Sequence, residues 1–130
     1  MKVAFATTDG ITVDEHFGRA GQFAVYDVTH GSHQFLELRK FADGMDQSVV
    51  DTRNTGPLHE KAVQNKVDKL ADCKLIYITE IGGPSAARLV QKGIMPMKVK
   101  EPVSIIRALE QLGDMIEKSP PPWMKKALSK

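Results

Sequence analysis

A single cysteine, Cys73, stands in a chain of 130 residues. One thiol forms no intramolecular disulfide, and it excludes a four-cysteine zinc or iron–sulfur cage within one chain. Long apolar runs are missing too. No stretch approaches the roughly 20 apolar residues that a membrane-spanning helix needs. The apolar part of MKVAFATTDG is too short for a secretory leader and continues as a strand. Charge of one sign is scarce: 18 Lys and Arg against 16 Asp and Glu leave a net +2, too little to mark a nucleic-acid surface. Neither an internal repeat nor a domain linker interrupts the chain. At 42% apolar residues, a chain of this length buries a core of its own. The expectations are a cytoplasmic protein with no membrane and no nucleic-acid partner.

What is present is organised around Leu75–Gly93, LIYITEIGGPSAARLVQKG. Leu75, Ile76, Tyr77, Ile78 and Thr79 show no polar alternation, as in a strand buried on both faces of a parallel sheet. Gly82 and Gly83 break that strand, and Pro84 suits the first turn of a helix. Ala86, Leu89, Val90 and Gly93 follow at helical spacing, which predicts one apolar face and a glycine cap at Gly93. The start of this helix, Gly82–Ser85, offers bare backbone N–H groups to an anion.

Around this segment the chain reads β-β-β-α-β-α-β-α. Strands are expected at Lys2–Thr8, Gln22–Thr29, Gln34–Phe41, Lys74–Glu80 and Ile94–Lys100. The third is an edge strand by its pattern, and the last by Pro96, which cannot donate to a ladder. Helices are expected at Pro57–Ala71, Pro84–Lys92 and Pro102–Lys118. In the first, Val63, Val67 and Leu70 share a face with His59, and the lysines make a solvated face. In the third, Ile105, Leu109, Leu112 and Ile116 share one. Ile11–Gly18 and Asp43–Gly56 are loops. Residues 1–118 form a single domain, and 119–130 form a proline-rich basic tail anchored by Trp123.

Short connections and right-handed crossovers make the simplest sheet a five-stranded mixed one, order 3-2-1-4-5, with strand two antiparallel and helices on both faces. The first and fourth strands are then central neighbours from which the chain departs in opposite directions, and open α/β sheets bind ligands there. That end gathers Asp9, Asp14, Glu15, His16 and Arg19 from one loop, Glu80, Gly82, Gly83 and Ser85 from another, and Met45, Arg53 and Asn54 from the long loop. Cys73, His30 and His33 lie at the opposite end.

Plainer roles compete. His16 in an acidic loop reads equally as a solvated or capping histidine, Gly82-Gly83-Pro84 as a tight turn, and Cys73 as a small buried residue. An enzymatic reading is also open, in which Asp9 and Glu80 share divalent ions in a nuclease or phosphohydrolase. A nucleotide-binding or protein-interaction module is a third.

DEHFG (Asp14–Gly18), YITEIGGPSAARLVQKGI (Tyr77–Ile94) and SPPPW (Ser119–Trp123) together resemble the NifX-type nitrogenase accessory proteins of the dinitrogenase iron–molybdenum-cofactor-binding family. The likeness covers nearly the whole chain. It implies a ribonuclease-H-like α/β fold and a carrier rather than an enzyme. The implied cargo is the iron–molybdenum cofactor or its iron–sulfur precursor, the NifB cofactor. The implied partners are cofactor-biosynthesis proteins: the precursor-synthesising enzyme as donor, a scaffold complex as acceptor, and apo-dinitrogenase. The family's HFG histidine, the favoured cluster ligand, maps onto His16. Relatives often carry a histidine where this chain has Met95, so a second imidazole is missing here. Cys73 matches a cysteine of relatives, but its position argues against a cluster shared with His16. In this reading Gly82, Gly83 and Ser85 donate backbone N–H groups to the cluster, and Arg19 and Arg53 offset its negative charge.

Overall fold

The structure, a computed structural model, describes residues 1–41 and 57–128, with no side-chain description for 57–62. The expected loop Asp43–Gly56, with Met45, Arg53 and Asn54, and the side chain of His59 therefore lie outside the described residues. The strands are β1 (Lys2–Ala6), β2 (Thr12–Val13), β3 (Gln22–Thr29), β4 (Ser32–Lys40), β5 (Leu75–Ile78), β6 (Met95–Lys98) and β7 (Val103–Ser104). The helices are α1 (Pro57–Lys69), α2 (Gly83–Gln91), α3 (Ile105–Lys118) and α4 (Pro122–Leu128). Among the described residues no helix is long and apolar enough to cross a membrane.

Five strands form one mixed sheet in the order β4-β3-β1-β5-β6. β1 runs antiparallel to β3 and parallel to β5. β5 runs parallel to β6, where Pro96 lies opposite Ile76 on the outer strand. All four residues of β5 are buried, because each sheet face carries its own apolar layer. On one face Ala4, Ala6, Phe23, Val25, Ile76 and Ile78 meet Val63 and Val67 of α1, Leu70 just after it, and Leu89 of α2. On the other, Val3, Phe5, Val28, Leu75 and Tyr77 meet Ile105, Leu109, Leu112 and Ile116 of α3 and Met124 of α4. The alternation of β5 between two helical layers explains why its sequence shows no polar period.

Three expectations need correction. Pro102 does not open the third helix. Val103 pairs with Val13 in a second, two-stranded sheet formed by β2 and β7, and the Ser104 hydroxyl accepts from Arg107 N at 3.1 Å to cap α3. A β-branched residue followed by a good N-cap favours this later start. Part of the expected Ile11–Gly18 loop is thereby a strand. Val90 is not on the buried face of α2; it is 56% exposed, and Leu89 alone of that helix is buried. Gly93, at φ +80°, ends α2 in the left-handed conformation that glycine adopts without strain.

At the sheet margin Arg39 of β4 reaches across to Asp72, donating at 2.8 Å, and also to the Lys69 carbonyl at 2.9 Å. The Arg39 guanidinium holds the Asp72 carboxyl well below the usual carboxylate range, against the opposing effect of burial. A lowered carboxyl pKa contributes stability above the unfolded value, near 3.9, and the contribution fades as pH falls. Asp72 is 42% exposed, so solvent screening limits the pair to about 1 kcal/mol. Asp72→Asn should lose about that much stability at pH 7, with the difference from wild type shrinking steadily below about pH 4; urea titrations across this range measure it, and a gap that persists unchanged in acid rules the mechanism out.

Candidate functional site

The segment after β1 is fastened before it reaches the sheet's carboxyl end. Asp9 closes its own loop, accepting from Ile11 N and Thr12 N at 2.8 Å each and from the Thr7 hydroxyl at 3.1 Å. These backbone donors hold the Asp9 carboxyl below its ordinary pKa. Asp14 accepts from Thr8 N at 2.9 Å and from the Thr8 hydroxyl. Ile105 N donates to Ile11 O at 2.8 Å, tying the loop to the start of α3.

Beyond Asp14 the chain runs alongside the end of β5. Thr79 N donates to Glu15 O at 3.0 Å, and Phe17 N donates to Glu80 O at 2.9 Å. His16 and Glu80 thus form an isolated parallel bridge, and Gly82 follows two residues later. His16 is exposed while Phe17 is buried, 1% exposed, against Phe23. The His16 carbonyl accepts from Arg19 N at 3.2 Å and Ala20 N at 3.0 Å, which winds His16–Ala20 into one helical turn.

Lys66 completes this arrangement, and it corrects the expectation of a wholly solvated lysine face on α1. Only 3% exposed, it donates to the carbonyls of Phe17 at 3.1 Å, Gly18 at 3.4 Å and Ala20 at 3.0 Å. Its ammonium also lies 5.5 Å from the Phe17 ring centre and 6.0 Å from that of Phe41. A lysine three residues after Val63 and one before Val67 sits at the border of the apolar stripe. That placement is the only sequence signal for it.

On the facing side α2 begins at Gly82 with no side-chain cap, and Ala86 N donates to the Gly82 carbonyl at 3.0 Å. Gly82 has φ −74° and ψ 152°, an extended backbone open to any residue. Apart from its immediate chain neighbours, a methyl group on Gly83 would meet nothing within 4 Å, and one on Gly82 only Pro84 Cδ at 4.0 Å. The fold therefore does not demand glycine at either position. What their absent side chains leave is an uncovered helix start facing solvent.

The structure thus bridges His16 to Glu80, the residue from which the chain runs on to Gly82, Gly83 and Ser85, with Arg19 exposed in the turn after His16. Arg53 lies outside the described residues. The divalent-ion reading loses its ligands: Asp9 is spent on its own loop, and Glu80 pairs with Lys98 at 2.9 Å, which lowers its pKa. Among the described residues no group of three or more His, Cys, Asp and Glu is placed to hold a metal ion. The site offers a lone exposed imidazole beside backbone donors.

Cys73 is fully buried at the other end, next to Lys74, whose N–H donates to Lys2 O at the start of β1. Burial, with the Asp72 charge adding to it, pushes its thiol up to about 12, so it stays protonated and unreactive at neutral pH. Native protein at pH 8 should resist a thiol reagent such as Ellman's and react fully only once denatured. Fast stoichiometric labelling of folded protein overturns this placement.

The sequence model of the family described as "Dinitrogenase iron-molybdenum cofactor" matches residues 1–115. The chain is 37% identical over 128 residues to Protein NifX of Rhodobacter capsulatus, covering 98% of this chain and 77% of that protein. It is 38% identical over 130 residues to Protein NifX of Sinorhizobium fredii, covering 99% and 78%. Among solved structures it is similar to the crystal structure of PH0822, with a TM-score of 0.65 at 17% identity over 88% of this chain and 89% of that one, a likeness of fold.

Proposed function

The chain belongs to the dinitrogenase iron–molybdenum cofactor family, and with it to the NifX-type nitrogenase accessory proteins; from that membership we propose that it carries the iron–molybdenum cofactor, or its iron–sulfur precursor, between stations of cofactor biosynthesis. In this reading it receives the cluster from the precursor-synthesising enzyme and passes it to the scaffold complex or to apo-dinitrogenase, in the cytoplasm. It performs no reaction on the cluster. We assign residues 1–118 to the carrier domain and 119–130 to a tail, and the fold to the ribonuclease-H-like class.

One observation carries this reading. An exposed imidazole stands on an immobilised backbone bridged to Glu80, and Glu80 lies two residues ahead of a glycine pair whose added methyl groups would meet no side chain beyond Pro84. The chemistry suits a transient cargo. A neutral imidazole binds iron, and without thiolates around it one such bond permits release. Backbone N–H groups at Gly83 and Ser85, at the positive end of α2, complement cluster sulfides or a carboxylate on the cluster. Arg19 and Arg53 supply positive charge against the anionic cargo. Because His16 is exposed and its backbone, not its side chain, makes the structural bonds, removing the imidazole leaves the fold intact.

His16→Ala should therefore change stability by less than about 0.5 kcal/mol. Its affinity for isolated iron–molybdenum cofactor, titrated anaerobically, should fall by roughly a hundredfold or more, exceeding the ~10–100-fold loss typical of an outer partner of a metal ligand. Equal affinity in folded wild type and variant removes His16 from the role. Gly83→Ala tests the helix start separately. It should fold with undiminished thermal stability, since the added methyl meets nothing, yet bind the cofactor roughly tenfold more weakly, about one hydrogen bond to a charged group; unchanged binding shows that the glycine turn does not touch the cargo.

A further inference from the structure

We propose that Lys66 is the positioning residue of the ligand loop: its ammonium, reaching from α1, sets the His16–Ala20 turn and thereby presents the His16 imidazole beside the Glu80–Ser85 turn. The inference rests on the carrier reading and names a residue through which that site is held in register.

The argument begins with an oddity of burial. Among the described residues Thr7 and Lys66 are the buried polar or charged side chains, and Lys66 carries the charge. An ammonium taken out of water is costly unless hydrogen bonds replace its hydration. Here three carbonyl oxygens do so, at 3.1, 3.4 and 3.0 Å, and two aromatic rings lie beside the ammonium. Lysine has three donors and no acceptor, so one side chain answers all three oxygens. A methionine would fill the same space without the cost of a buried charge. The lysine therefore answers to the carbonyls, not to the need for packing.

Those carbonyls belong to the turn that starts at His16. A lone helical turn is intrinsically unstable, since several dihedrals are fixed for very few hydrogen bonds. The His16–Ala20 turn has two internal bonds, both to the His16 carbonyl. Its later carbonyls have no following turn to accept from, and a cation at the C-terminal end of a helical segment is favourable in charge as well. Lys66 thus fastens the far side of the turn, while Thr79 N–Glu15 O and Phe17 N–Glu80 O fasten the near side. His16 lies within the near anchor, and its carbonyl opens the turn that Lys66 holds at the other end. Removing the far one leaves the strand-like bonds in place but frees the turn, so the imidazole samples more orientations.

A positioning role differs measurably from a structural or a purely electrostatic one. The test uses Lys66→Met, with Lys66→Gln alongside as a variant that keeps one polar head should the methionine form fold poorly. Circular dichroism and thermal melting establish which variants fold. Anaerobic titration with isolated iron–molybdenum cofactor is then made in both the wild-type and the His16→Ala backgrounds. The expected result is a loss of about 10–100-fold in the wild-type background, as for an outer partner of a metal ligand, and little or no further loss when His16 is already alanine. Unchanged affinity in a folded Lys66 variant overturns the proposal. So does an equal loss in both backgrounds, which assigns Lys66 to the fold or to the general field of the site. Amide hydrogen exchange at Arg19 and Ala20 in cluster-free protein supplies the independent arm: it should speed up in the Lys66 variants while β1, β5 and Phe17 stay protected. If wild type itself fails to bind the cofactor, the carrier reading falls, and unchanged exchange at the turn then overturns the positioning role on its own.

Discussion

The parallel pairing of β1 with β5 is the constraint from which the remainder follows. Parallel neighbours cannot be joined by a tight turn; the chain must leave the sheet, cross one face and re-enter from the same end. In this protein it does so after first building β3 and β4 as an antiparallel extension on the other side of β1. The two central strands therefore release their chains in opposite directions. The backbone beyond Ala6 and the backbone beyond Ile78 meet above the sheet with no further strand between them. Glu15–Phe17 occupies that place, bonded to Thr79 and Glu80 as if prolonging the sheet. One edge of the site is thus a single parallel bridge at the sheet's end.

This arrangement fits the two demands that the proposed carrier role makes. Holding a bulky anionic cluster calls for fixed groups, since each mobile contact loses conformational entropy on binding. Releasing it calls for few strong bonds. The structure places rigidity in the backbone and economy in the side chains. The carbonyls of Glu15 to Gly18 and Ala20, and the N–H groups of Phe17, Arg19 and Ala20, are engaged beyond the end of β5, with each other and with Lys66, whereas the imidazole of His16 is left exposed. The α2 start follows the same pattern. Its backbone is ordered by the helix, yet no side chain covers it. The acidic residues nearby, which suggested divalent ions, are occupied in keeping the loops in shape.

Much of the framework was legible in the residues. The double-sided apolar run Leu75–Ile78 marked a central parallel strand, and Pro96 marked an outer one. The spacing of Ile105, Leu109, Leu112 and Ile116 marked the stripe that now faces β1, β3 and β5. These signals are local, because period and burial coincide within one element. The errors share a cause in contacts made from far along the chain. Val103 became a strand because Val13 was available to pair with it. Val90 lost its place in the core because a short helix at the sheet margin docks along a single row. Lys66 looked like one more surface lysine, since the three carbonyls that hold it lie 46 to 49 residues earlier.

For the site, the amino-acid sequence alone determined which chemistry is possible. With one cysteine in the chain, a thiolate cage was excluded, and the family resemblance of the HFG and IGGP segments pointed to the imidazole and the bare helix start as the proposed means of holding an anionic cluster. Only the tertiary structure decided that the His16 backbone is bridged to Glu80, two residues before that helix start. It also decided that Asp9 and Glu80 serve loops and ion pairs instead of metal. The reason is physical: a residue's donors and acceptors are set by its type, but which of them remain free is settled by the partners folding delivers, and burial, as at Lys66, turns a solvated charge into a structural bond.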